Sequence, residues 1–129
     1  MQKEWEDVRE FQRCFGHPFE DKPAMLPPDR AGIRADWMLE EVHEFLEAEE
    51  IVEQADAMID LIYFALGTLV EMGVKPDVLW DIVHRANMSK LFPDGKPHHR
   101  SDGKTIKPPT WEDPHSKLEA EIRRQAEEA

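Results

Sequence analysis

Leu39-Glu40-Glu41-Val42-His43-Glu44, with Glu53-Gln54-Ala55-Asp56-Ala57-Met58-Ile59-Asp60 a short way downstream, is the stretch whose reading decides the fold. Glu40 and Glu44 stand four apart and Glu41 and Glu44 three apart, so on a helix their carboxylates crowd one face. Asp56 and Asp60 repeat the four-residue step. A chain reversal near residue 50 sets 40 against 60 and 44 against 56, and an antiparallel helical hairpin then brings four carboxylates face to face. No Gly or Pro separates the two segments, so one continuous helix is the competing reading; it would turn residue 60 about 200° away from residue 40.

Four facing carboxylates have to be balanced. At an effective dielectric of about 20 and separations of roughly 6 Å, each like-charge pair costs on the order of 3 kcal/mol, and six such pairs approach the stability of a whole domain. Either some of the groups take up protons or divalent cations bind among them. Hard cations such as Mg²⁺ choose carboxylate oxygen, and this second reading is the working one.

Outward from the hairpin, the flanking segments also read as helices. Residues 4 to 15 place Trp5, Val8, Phe11 and Phe15 at steps of three and four, an amphipathic packing helix ended by Gly16 and Pro18. Four prolines between residues 17 and 30 make a loop, read as a linker in preference to a lid. Asp29 or a neighbour caps a helix from about 31 to 47 whose apolar side is Ile33, Trp37, Val42, Phe45 and Leu46. The next, from about 50 to 72, carries Ala55, Ile59, Ile62, Ala65 or Leu66, Leu69 and Met72, with Gly73 as its stop. Pro76-Asp77 opens a third, with Val78, Leu79, Ile82, Val83 and Ala86 as its buried stripe. A loop-rich basic arm over 85–112 follows, with two Asp-Gly-Lys turns at 94–96 and 102–104, and Asp113-Pro114 caps a polar helix over 113–129.

The expected fold is therefore all-α, a bundle of about four to five helices around a central antiparallel hairpin, in a single domain spanning 1–129. Apolar content of 40% and charged content of 34%, with one tyrosine, suit that class. No apolar run approaches the roughly 20 residues a bilayer requires. The opening residues lack a secretory pattern and Cys14 is the only cysteine, so the expected location is cytoplasmic. A net charge of −12 argues against a general nucleic-acid binder. Residues 85 to 107 nevertheless carry a net +4, leaving −16 for the remainder, a division that suits an anion carried by metal ions.

These residues resemble the all-α nucleoside triphosphate pyrophosphohydrolases, the superfamily of MazG, the dimeric dUTPases and phosphoribosyl-ATP pyrophosphohydrolase. Glu40-Glu41-Val42-His43-Glu44 matches its E-E-x-x-E, and Asp60-Leu61-Ile62-Tyr63 resembles the start of the second half of the pattern, the facing E-x-x-D. Val83-His84-Arg85-Ala86-Asn87-Met88-Ser89-Lys90, then Asp102-Gly103-Lys104 and Lys107-Pro108, resemble a MazG-like branch in which an Asn, a Lys and a basic turn meet the phosphates. The family's second-helix glutamate is replaced by Ala57; Asp56 stands in for it, or Glu53-x-x-Asp56 is the motif shifted by one turn.

The resemblance implies Mg²⁺, with Mn²⁺ as a substitute, held by Glu40, Glu41, Glu44, Asp56 and Asp60. Glu41 and Glu44 would serve catalysis, with Glu41 as the base, and Asn87, Lys90 and Lys104 would bind the substrate phosphates. The implied reaction takes an NTP or dNTP and water to the monophosphate and pyrophosphate, extending to house-cleaning of non-standard nucleotides, in a homodimer or homotetramer that completes four-helix bundles. Phe11, Phe15, Trp37 and Trp80 are available to stack on a base, although core packing is the commoner role of such residues.

Two rivals remain. A noncatalytic acidic helical oligomer or regulatory partner would leave the acids as a solvated face, which would not need the small and apolar residues Ala55, Ala57 and Ile59 among them. A di-iron carboxylate bundle is suggested by Glu40-x-x-His43 and Asp81-x-x-His84, but lacks the further inward glutamates such sites use.

Overall fold

The computed structural model describes all 129 residues and is helical apart from one two-stranded ribbon. Its elements are α1 (Gln2–Cys14), α2 (Pro28–Glu47), α3 (Ile51–Glu71), α4 (Asp77–Met88), β1 (His98–His99), β2 (Thr105–Ile106) and α5 (His115–Glu128). No helix is long and apolar enough to cross a membrane. The chain divides into two compact units, Met1–Pro76 with Gln125–Ala129, and Asp77–Arg124.

The first unit holds the hairpin. α2 stops at Glu47, Ala48 and Glu50 take extended backbone, and α3 starts at Ile51, so three residues reverse the chain without Gly or Pro. The continuous rod is thereby excluded, and α2 packs along α3. α1 packs on α3 as well, through Trp5 and Val8 against Leu66 and Val70, with Leu69 beside them. Each of these fully buried apolar side chains contributes roughly 1.5–3 kcal/mol.

α3 ends in a glycine-dependent cap. The Val74 amide donates to the Leu69 carbonyl (2.9 Å) and the Gly73 amide to the Val70 carbonyl (3.0 Å), the six-to-one and five-to-two pair of a Schellman motif. Gly73 sits at φ +70°, and a Cβ there would strike the Lys22 carbonyl. The proline-rich segment packs on this corner, with Glu20 donating to the Val70 carbonyl and Ala24 to the Met72 carbonyl. Those bonds make the segment a fixed wall of the first unit.

Several expected burial patterns change. α2 begins at Pro28 with Pro27 as its cap residue, so Asp29 lies inside the first turn, near the positive end of the helix dipole, instead of capping it. The residues α2 buries are Arg34 and Glu41, whereas Ile33, Leu39 and Leu46 are exposed. On α3, Ile59 and Ile62 also face outward. A helical wheel shows that an apolar stripe exists but not which face meets a neighbour within the same chain. Here the neighbour-facing side of α2 carries charge.

In the second unit, α4 buries no residue, so the predicted stripe is only partly covered: Val78 and Val83 are exposed, Leu79 and Ile82 half-buried. The two Asp-Gly-Lys turns share one geometry. Gly95 and Gly103 take φ of +76° and +86°, and each aspartate accepts the amide two residues on, Lys96 at 2.9 Å and Lys104 at 3.0 Å. The second turn joins β1 to β2, which pair antiparallel with His98 opposite Ile106. Asp113 accepts the His115 amide at 2.8 Å and caps α5 as expected.

Candidate active site

The hairpin brings three acids together. Glu41 and Glu44, a turn apart on α2, and Asp60 on α3 each offer a carboxylate oxygen, and these oxygens lie within 4.8 Å of one another. Glu41 is only 8% exposed, and its Oε2 is buried with no hydrogen-bond partner. Burial, then a hydrogen bond to Glu44 and the nearby charges of Glu44, Asp60 and Asp56, push its carboxyl up to about 7. Asp60 is also raised, first by burial and then by Asp56 and Glu44. No cationic side chain pairs with any of the three in a salt bridge.

That combination has a chemical meaning. A carboxylate oxygen removed from water without a partner costs free energy until a proton or a cation arrives. Three converging carboxylate oxygens are the donor set that hard divalent ions select. The site therefore fits a hard metal ion, with Glu41, Glu44 and Asp60 to hold it.

Of the other residues singled out by sequence, Asp56 is exposed on α3 and close enough to raise both Glu41 and Asp60. Glu53 is exposed, and Ala57, 2% exposed, fills the position between with a buried methyl group. Glu40 is not among the three clustered acids and lines a separate pocket. Asn87, Lys90 and Lys104 belong to the second unit. There the Lys90 and Lys107 ammoniums both lie over the Trp111 ring, at 5.7 and 4.7 Å from its centroid, and the Trp111 indole donates to the Ala86 carbonyl at 2.7 Å.

The Glu40 pocket encloses about 270 Å³ among Phe11, Gln12, His17, Arg34, Trp37, Tyr63 and Phe64. Its rings are set against one another: Phe11 meets Tyr63 edge-on at 5.6 Å, His17 meets Trp37 edge-on at 6.1 Å, and Trp37 leans on Phe64 at 5.8 Å. Glu40 of this pocket and Glu41 of the acid cluster are consecutive on α2, projecting about 100° apart around the helix. Phe11 and Trp37, two of the four aromatics noted in the sequence, line this pocket, while Phe15 is exposed and stacked on Phe11 at 4.6 Å, and Trp80 is exposed on α4.

Sequence reasoning passed over a buried polar network beside the pocket. Glu71, 3% exposed, accepts from Arg30 Nε and Nη2 (both 2.8 Å) and from Arg34 Nε (2.9 Å); Arg34 Nη2 donates to Gln12 Oε1 (3.1 Å). The one available signal was Arg30 and Arg34 four apart on a single helix face, a like-charge pair that calls for an acid between them.

The profile of the phosphoribosyl-ATP pyrophosphohydrolase family matches residues 8–87, from the middle of α1 to the end of α4. A crystal structure from Exiguobacterium sp. 255-15, assigned as an NTP pyrophosphohydrolase, is similar at 34% identity with a TM-score of 0.54. The match covers 97% of this chain and 96% of that one. No curated protein gives a significant match.

Proposed function

The chain belongs to the phosphoribosyl-ATP pyrophosphohydrolase family, and from that premise we propose that it is a magnesium-dependent nucleoside triphosphate pyrophosphohydrolase, cleaving an NTP or dNTP to the monophosphate and pyrophosphate. The family and the similar crystal structure establish the coarser statement, a hydrolase acting on the pyrophosphate bond of a nucleotide. One observation carries the metal: Glu41 Oε2, buried and unpartnered, stands among the clustered carboxylates of Glu44 and Asp60.

In this reading Glu41, Glu44 and Asp60 hold the ion, with Asp56 and Glu40 completing the acidic surround. Magnesium, when bound, supplies positive charge to the phosphate oxygens and acidifies water beside them. Glu41 accepts the proton of the water that attacks the α phosphorus. The bond from the α phosphorus to the bridging oxygen breaks, and pyrophosphate leaves. Asn87, Lys90 and Lys104 neutralise phosphate oxygens as charge moves onto the leaving group.

The aromatic pocket receives the base. Stacking on rings tolerates different heterocycles, because every base has a π face, which favours an activity that extends to non-standard nucleotides. Leu39, Leu46, Val52, Ile59 and Ile62, all more than two-fifths exposed on α2 and α3, support assembly into a homodimer or homotetramer, measurable by light scattering.

The test is pyrophosphate release from a panel of NTPs and dNTPs with Mg²⁺ or Mn²⁺. We expect cleavage of at least one nucleotide, dependent on the ion and nearly abolished in Glu44→Gln. Absence of cleavage across the panel with either ion would overturn the reading.

A further inference from the structure

Arg34 is the most deeply buried cation of the first unit, 3% exposed, and nothing in the proposed chemistry uses it. Its contacts reach two segments that line the aromatic pocket, α2 at Trp37 and the turn at His17. On one side its guanidinium lies over the Trp37 ring, 5.0 Å from the centroid. On the other, Nη2 donates to Gln12 Oε1 at 3.1 Å, and Gln12 Nε2 donates in turn to the Pro18 carbonyl at 2.8 Å, beside His17. Trp37 and His17 both line the pocket and meet edge-on at 6.1 Å. The guanidinium is itself held by Glu71 through Nε. Gly67 leaves it room, since a Cβ there would collide with Gln12 Oε1 and lie 2.8 Å from Arg34 Nη1.

We propose that Arg34 is a positioning residue for the base subsite: anchored by Glu71, it fixes Trp37 on α2 and, through Gln12, the His17–Pro18 turn, and so holds the lining of the pocket that receives the base in one arrangement. The proposal rests on the pyrophosphohydrolase reading for what the pocket holds. A guanidinium suits the task because it is planar, always charged, and able to stack on a ring while donating along its edges. A lysine offers one point charge and reaches Glu71 or Gln12, but presents no plane to Trp37.

Arg34→Met separates this role from simple packing, because Arg30 continues to hold both oxygens of Glu71. Steady-state rates with a cleaved nucleotide are compared with rates on a ribose triphosphate that lacks a base. Affinity for a nonhydrolysable α,β-methylene nucleoside triphosphate with Mg²⁺ is measured by calorimetry. The expected result is a rise of about tenfold or more in KM and Kd for the nucleotide, the worth of one desolvated cation–π contact with its hydrogen bond, with kcat within about twofold and the baseless substrate unaffected. Arg34→Lys, which keeps the charge, should show the same split to a smaller degree and serves if the methionine variant does not fold. Equal losses on the nucleotide and the baseless substrate, or unchanged nucleotide affinity, would overturn the proposal. If the wild-type chain binds the analogue but cleaves nothing, the pyrophosphohydrolase reading falls while calorimetry still decides the role of Arg34. If it binds nothing, both fall.

Discussion

Glu71→Gln is the sharpest test of the account of the fold. Glu71 is 3% exposed and accepts three hydrogen bonds from two guanidiniums at 2.8–2.9 Å. Its carboxyl is held below the usual range by the Arg30 hydrogen bonds, working against burial, and further by Arg34. Removing one partner of a buried ion pair costs about 3–5 kcal/mol, because the remaining charge is left without compensation. Glutamine keeps one acceptor oxygen but no charge, so the lower half of that range applies. For 129 residues the unfolding entropy near the melting temperature is about 0.27 kcal/mol per kelvin, so 3 kcal/mol lowers Tm by about 11 °C.

The pH dependence has a definite sign. A carboxyl whose folded pKa is depressed stabilises the protein above its unfolded pKa, near 4.5, and that contribution disappears as pH falls through the folded value. The gap between wild type and Glu71→Gln, read by calorimetry or urea titration, should be full at pH 7 and close as the pH falls below about 4.5. A loss under about 1 kcal/mol at pH 7, the worth of an exposed pair, would refute the reasoning. So would a gap that does not change with pH. The double variant Arg34→Met with Glu71→Leu removes one charged pair but leaves Arg30 without its acid, so it should recover only part of the loss.

The remaining predictions concern the cap and the acid cluster. Gly73→Ala forces a left-handed backbone onto an L residue and drives its methyl into the Lys22 carbonyl, so it should cost about 2 kcal/mol or more by urea titration, whereas Gly32→Ala, with open space around it, should be neutral or slightly stabilising. Glu41 shows the opposite linkage to Glu71. Its folded pKa is raised to about 7, so metal-free protein should lose stability as pH climbs from about 4.5 through 7. Melting curves at pH 8 should show Glu41→Gln more stable than wild type without metal and less responsive to added Mg²⁺. An unchanged response to Mg²⁺ in that variant would remove Glu41 from the metal site.

Much of this chain was legible without coordinates. The five helices, the Gly73 stop, the two aspartate-glycine turns and the Asp113 cap all follow from local chemistry, in which a few neighbouring residues fix the backbone, whereas the reversal near residue 50, made without Gly or Pro, was expected mainly from the family resemblance. The acidic clusters on α2 and α3 were equally plain, because spacing along one helix determines which side chains share a face.

Tertiary structure decided which face turned inward. Of Glu40, Glu41 and Glu44, all within five residues of sequence, two point with Asp60 into one cluster while Glu40 lines the pocket. The apolar residues Ile33, Leu39 and Leu46 were left outside while Arg34 and Glu41 went in. Periodicity fixes angles around a single helix axis, but the rotation of one helix against another is set by side chains far apart in sequence. Arg34 and Glu71 are 37 residues apart, and neither announces the other until the fold brings the guanidinium to 2.9 Å from the carboxylate.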